Sequence, residues 1–199
     1  MTLRHGSLTE RTIHICVDMQ NLLGPESPWY TPWASRVLPA VMRLVERAPA
    51  ATVFTRFVAP PRMEGLPAGW RRFYERWSGL QGDHADPWLF DLLEPLTRFV
   101  PPATVLDKPV LSPFSGRRLP ALLEERGTEA VLVSGAETDI CVLATVLGAI
   151  DRGYRVVLAR DALCGSRDMT HDAILTFYNA RLWQQIEVAE TAEIIDAWG

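Results

Sequence analysis

The sequence predicts an α/β chain in three layers, with helices on both faces of a mostly parallel, six-stranded sheet. Two observations predict it. Short apolar runs alternate with segments of helical period about six times along the chain, the pattern of a parallel sheet with crossover helices. A length of 199 residues, with 48% apolar and 22% charged, suits one domain with a sizeable buried core.

The elements follow in order. Residues 1–11 read as a loose polar lead-in, and residues 12–199 as the folded domain. Ile13, Ile15 and Val17 alternate with His14 and Cys16, a first strand ending at Asp18. A Gly24-Pro25 loop and Trp29, Tyr30 and Trp33 lead to a helix whose apolar face is Val37, Leu38, Val41, Met42 and Val45. Ala48-Pro49 ends it. Residues 52–58 form a second strand, stopped by Pro60-Pro61. Residues 62–100 are an irregular insertion with Trp70, Phe73, Tyr74 and Trp77 on a short helix, suited to a lid or a subunit contact.

A brief strand over 104–106 then leads into Asp107-Lys108, and a helix over 119–126 is closed by Gly127. The fourth strand, 130–133, is broken by Ser134-Gly135. A helix over 139–152 follows, with Thr138 and Asp139 as candidate N-caps, so Cys141 falls in its first turn. A fifth strand over 155–159, a helix over 168–181, a short strand over 186–188 and a helix over 191–198 complete the chain. In such sheets ligands gather at the carboxyl ends of the strands. Asp18, Lys108 and Cys141 each follow a strand and so meet at that edge.

Composition narrows the function. A formal charge of −4 leaves no basic footprint for nucleic acid, and no apolar run approaches transmembrane length. Three cysteines cannot all pair, which together with the lack of an apolar leader reads as reduced thiols in the cytoplasm. The four histidines show no ligand spacing, so neither a metal nor another cofactor is expected. The expected partner is a small molecule.

Three blocks carry a resemblance: Val17-Asp18-Met19-Gln20-Asn21, the run from Asp107-Lys108-Pro109 to Phe114, and Gly135-Ala-Glu-Thr-Asp-Ile-Cys-Val142. In this order they resemble the isochorismatase-like cysteine hydrolases, a superfamily that includes N-carbamoylsarcosine amidohydrolase and nicotinamidase. The resemblance implies a catalytic Asp18, Lys108 and Cys141, with a Rossmann-like single domain and a homodimer or homotetramer. Asp18 would act as general base and then acid, Lys108 would hold the carboxylate and stabilise a thiolate, and Cys141 would attack a carbonyl. An oxyanion would be held by the backbone N–H of Cys141 and that of Ala136 or Glu137. The family pattern also implies a cis Ala136–Glu137 peptide. The helix end and Lys108 should lower the Cys141 pKa, opposed by Asp18.

The implied reaction is metal-independent cleavage of a C–N bond in a small amide, carbamoyl or ureido compound. Where nicotinamidases carry Asp-x-His after the second strand, this chain has Thr55-Arg56-Phe57. Gln20, Trp29, Trp70, Phe114 and Cys164 are candidate pocket residues, and Arg56, Arg71 and Arg72 are candidate carboxylate ligands. Each also has an ordinary reading: the aromatics as core or subunit packing, the arginines as a solvated face, and His171 as a capping or packing residue. Leu111, Pro113 and Arg117 depart from the common Tyr, Ala and Thr, which bears on substrate more than on mechanism. Two rival functions remain: an isochorismatase-type vinyl-ether hydrolase, indifferent to the thiol, and a non-enzymatic redox or assembly protein.

Overall fold

Six parallel strands make one sheet in the order β3-β2-β1-β4-β5-β6. The strands are β1 (Thr12–Val17), β2 (Thr52–Phe57), β3 (Thr104–Lys108), β4 (Ala130–Ala136), β5 (Arg155–Cys164) and β6 (Ile186–Ala189). This computed structural model describes residues 3–60, 62, 64–81 and 85–199. The expected stop at Pro60-Pro61 therefore lies partly outside the described residues.

The helices are α1 (Ala34–Arg47), α2 (Ala68–Arg76), α3 (Glu94–Thr97), α4 (Arg118–Glu125), α5 (Leu143–Ile150), α6 (Asp168–Arg181) and α7 (Thr191–Ala197). Both faces of the sheet are covered, so β1 and β4 are buried along their whole length, as parallel strands require. On one face Cys16, Phe54, Leu132 and Val157 pack against Val41 and Leu44 of α1 and Ile194 of α7. On the other, Ile13, Ile15, Val131 and Val156 pack against Leu119 of α4, Val146 of α5 and Tyr178 of α6. The alternation read in the sequence is thus a division between two cores rather than between core and solvent. Among the described residues no helix is long and apolar enough to cross a membrane.

Three segments differ from the sequence-based expectation. The lead-in is tied down: Leu3 and Leu8 are buried, and Leu8 forms a parallel bridge with Trp198. Its apolar side chains, spaced too widely to show a period, fill the end of the α1–α7 layer. Second, Ser134-Gly135 does not end β4, which runs on to Ala136 because both residues pair with β1, and β5 continues to Cys164, because a register shift after Val133 lets Leu163 and Cys164 pair with Gly135 and Ala136. Third, the insertion folds back as an aromatic cluster. Trp29, Trp70, Phe73 and Trp77 surround Leu22, Phe57, Tyr74 and Leu80, with ring centroids 5.2–6.5 Å apart.

The chain runs outward from β1 to β3, then returns to lay β4 on the other side of β1. The crevice at such a reversal opens at the carboxyl ends of β1 and β4.

Candidate active site

Asp18 is the first residue beyond β1 and adopts φ +50°, a left-handed conformation that aspartate tolerates better than most side chains. Its N–H donates to the Thr55 carbonyl of neighbouring β2 at 3.1 Å. The Thr55 hydroxyl donates to Asp18 Oδ1 at 2.6 Å, and Lys108 Nζ donates to Asp18 Oδ2 at 2.6 Å. Lys108 closes β3, beyond β2, and its long side chain crosses the intervening strand to reach the carboxylate. The same ammonium lies 3.5 Å from Cys141 Sγ and donates to the Val110 carbonyl at 3.2 Å. Side-chain exposures of 3% and 9% leave Lys108 and Asp18 little contact with water, so each charge relies on the other as its partner.

The Cys141 segment is built by two backbone features. Gly135 has φ +106°, and a Cβ placed there would lie 2.1 Å from the Val17 carbonyl oxygen. Only glycine lets β4 run this close to the end of β1. Beyond it the Ala136–Glu137 peptide is cis. The N–H groups of Ile140 and Val142 both donate to the Glu137 carbonyl, at 3.0 and 3.1 Å, and enclose Cys141 in a π-turn over Thr138–Val142.

This π-turn replaces the capped α-helical start expected from Thr138 and Asp139. Neither side chain caps the turn; the Thr138 hydroxyl instead lies 2.8 Å from Nδ1 of His171 on α6. His171 is therefore a packing partner of the turn.

Electrostatics depart from expectation as well. Burial, and then the Asp18 carboxylate, push the Cys141 thiol above its ordinary range, and Lys108 opposes them without prevailing. Helix-end stabilisation of a thiolate was the wrong dominant effect, since the side chain is almost wholly enclosed and the turn is not α-helical. For Lys108, burial favours the neutral amine, but Asp18 and Cys141 together hold its pKa above the usual value. At neutral pH the resting set is therefore an ammonium and a thiol around the Asp18 carboxyl group.

A cavity of about 390 Å³ opens over this set. Trp29, Tyr30, Phe57, Phe73 and Trp77 form an aromatic wall, joined by Leu22, Leu23, Pro28, Leu111 and Ile140. The polar lining is Asp18, Gln20, Glu137, Cys141, Ser166, Arg76 and Arg167.

Of the residues singled out in the sequence, Asp18, Gln20, Trp29, Ala136, Glu137 and Cys141 line the cavity, with Lys108 beneath them. Gln20 has no spare polar atoms: its amide donates to the Phe57 and Phe90 carbonyls and its carbonyl accepts from Phe57 N–H. Trp70, Phe114 and Cys164 are not among the lining residues. Trp70 buttresses Phe57 and Phe73 from behind. Phe114 is wedged against Gly148 of α5, where a Cβ would meet its ring at 2.8 Å. Cys164 is buried within β5, its thiol pushed up to about 12 by burial and then by Glu137. Arg56 forms ion pairs with Asp107 and Asp91 on the surface of the sheet edge.

Thr55, Arg76, Ser166 and Arg167 were not anticipated. Thr55 could have been found only from the pairing of β1 with β2, which sets Val17 opposite it. Arg76 and Arg167 lie in segments without a recognisable motif. Among the described residues, no group of three or more His, Cys, Asp or Glu side chains is placed to hold a metal ion.

Comparison with known proteins agrees with this geometry. The isochorismatase domain model matches residues 12–193. An uncharacterised isochorismatase family protein of Bacillus subtilis, YwoC, is 25% identical over 190 residues, covering 92% of this chain and 94% of the relative. The fold is that of a cysteine hydrolase from Pseudomonas syringae pv. phaseolicola 1448A, with a TM-score of 0.85, 22% identity and coverage of 99% and 96% of the two chains. An N-carbamoylsarcosine amidase from Thermoplasma acidophilum superposes with a TM-score of 0.74 at 21% identity, covering 92% of this chain and 98% of that one. With its sheet order, strand-end residues and nearly full-length match, the chain belongs to the isochorismatase family of hydrolases.

Proposed function

We propose that the protein is a cysteine amidohydrolase that cleaves the C–N bond of a small amide, carbamoyl or ureido compound through an acyl-thioester on Cys141. One observation carries this reading: Lys108 Nζ is 2.6 Å from Asp18 and 3.5 Å from Cys141 Sγ at the floor of the cavity. The amidase named among the similar structures supports the same bond class.

The roles follow from the charges. Because the thiol rests protonated, Asp18 takes its proton as sulfur attacks the carbonyl carbon. Lys108 stays charged and offsets the negative charge that passes between sulfur and carboxylate. The carbonyl oxygen becomes an oxyanion held by the backbone N–H of Cys141 and that of Ala136 or Glu137. Asp18 returns the proton to the nitrogen as the C–N bond breaks and the amine leaves. Water then attacks the thioester, giving its proton to Asp18; the C–S bond breaks and the thiol is re-formed.

The test is ammonia release from a panel of small amides, carbamoyl and ureido compounds, with intact-mass measurement. Wild-type protein should show a transient mass gain on Cys141, and Cys141→Ala should show neither adduct nor turnover. Undiminished ammonia release by Cys141→Ala would overturn the mechanism.

A further inference from the structure

We infer that the cavity selects an amide whose far end carries a carboxylate, held by Arg76 and Arg167. This deepens the amidase reading and rests on it for the reacting end of the substrate.

The inference comes from an inventory of the charged groups lining the cavity. Asp18 is matched by Lys108. Glu137 is engaged through Oε1, which accepts from the Thr31 hydroxyl at 3.4 Å and from Ser166 N–H at 2.9 Å. Arg76, the last residue of α2, and Arg167, just before α6, reach the same cavity from separate elements. Neither has an ion-pair or hydrogen-bond partner for its guanidinium among the described residues. With Asp18 and Lys108 cancelling, the remaining charged lining is two exposed arginines and the single carboxylate of Glu137, in a chain whose formal charge is −4.

The guanidinium of Arg76 lies over the Trp77 ring, 5.3 Å from its centroid. Stacking of this kind restrains the side chain while leaving its in-plane N–H donors free. Trp77 in turn meets Trp29 edge-on at 5.8 Å, so the arginine is mounted on the aromatic wall. A planar guanidinium is suited to a carboxylate, and the aromatic wall to a flat or short apolar body between the two ends. The structure thus assigns the arginines of the insertion and of the α6 approach to specificity. The candidates suggested by sequence, Arg56, Arg71 and Arg72, are not among the lining residues.

The experiment uses matched probes: succinamate against succinamide, and 4-carbamoylbenzoate against terephthalamide. Binding is measured by calorimetry on the full-length Cys141→Ala protein, and turnover as ammonia release by the wild type. In low salt, at least one acid should bind roughly tenfold or more tightly than its neutral partner, and added salt should erode the difference. Arg76→Gln and Arg167→Gln should each remove most of that preference, weakening the acid by a larger factor than its neutral partner. Equal or tighter binding of both neutral partners, or no binding of any probe, would overturn the inference. A charge preference in binding without turnover would keep the arginine assignment and count against the amidase reading. Turnover without charge preference would do the reverse.

Discussion

The Thr55 hydroxyl donates to Asp18 Oδ1 at 2.6 Å, on the carboxylate oxygen that Lys108 does not hold. Each oxygen of the proposed base thus has its own donor, from β2 and from β3, and the carboxylate plane is set by both. Thr55→Val removes one donor at nearly constant volume. A hydrogen bond to a charged group contributes about 1.5–3 kcal/mol, so kcat should fall roughly ten- to hundredfold with KM little changed. Thr55→Ser should restore most of the rate, which a purely structural role for the residue would not require.

The thiol of Cys141 is held above its ordinary pKa, so little thiolate exists at neutral pH. Alkylation by iodoacetamide, followed by mass spectrometry, should therefore be slower at pH 7 than for a free cysteine and accelerate as pH rises. Lys108→Met removes the positive charge that lowers the thiol pKa and should slow alkylation further. It should also destabilise the fold by about 3–5 kcal/mol by leaving the Asp18 charge buried without its partner. Fast alkylation at pH 7 would indicate a preformed thiolate and contradict the proton transfer to Asp18.

His14 is wholly buried between β2 and β4, with burial lowering its pKa to about 3. The Thr52 hydroxyl donates to the Ala48 carbonyl, so it accepts from His14 Nδ1–H, and Nε2 accepts from the Ser134 hydroxyl. The neutral ring is the native form. Below pH about 6.5 the unfolded chain binds a proton that the native chain refuses, so stability present above that pH is lost as pH falls toward 3. The slope approaches about 1.4 kcal/mol per pH unit for this one group. Urea unfolding at several pH values should show a shallower loss in His14→Asn than in wild type.

Gly135→Ala would set a methyl group 2.1 Å from the Val17 carbonyl oxygen at a backbone φ of +106°. The strands must part or the turn must move, and either displaces Cys141 from Asp18. Activity should be lost even where circular dichroism shows the fold intact, because a displacement of about 1 Å can cost a hundredfold in rate. Near-normal turnover in this variant would show that the close approach of β4 to β1 is not needed.

The alternation of strands and helices was legible because period is local: Ile13, Ile15 and Val17, or Val37, Val41 and Val45, carry it within a few residues. Asp18, Lys108 and Cys141 were legible through the three blocks that resemble the family, and their placement at or just beyond strand ends agreed, since a parallel sheet carries strand ends to one edge whatever the loops contain. The sequence by itself thus determined the layer architecture, the sheet edge at which the strand ends gather and the three residues that meet there. Tertiary structure alone decided the rest. Whether Trp29 faces the cavity and Trp70 its back depends on how the insertion packs on Phe57, and aromatic composition is the same either way. That Thr55 supports Asp18 depends on strand register. That the Cys141 thiol is raised rather than lowered depends on its enclosure, since desolvation is a property of surroundings assembled from the whole chain.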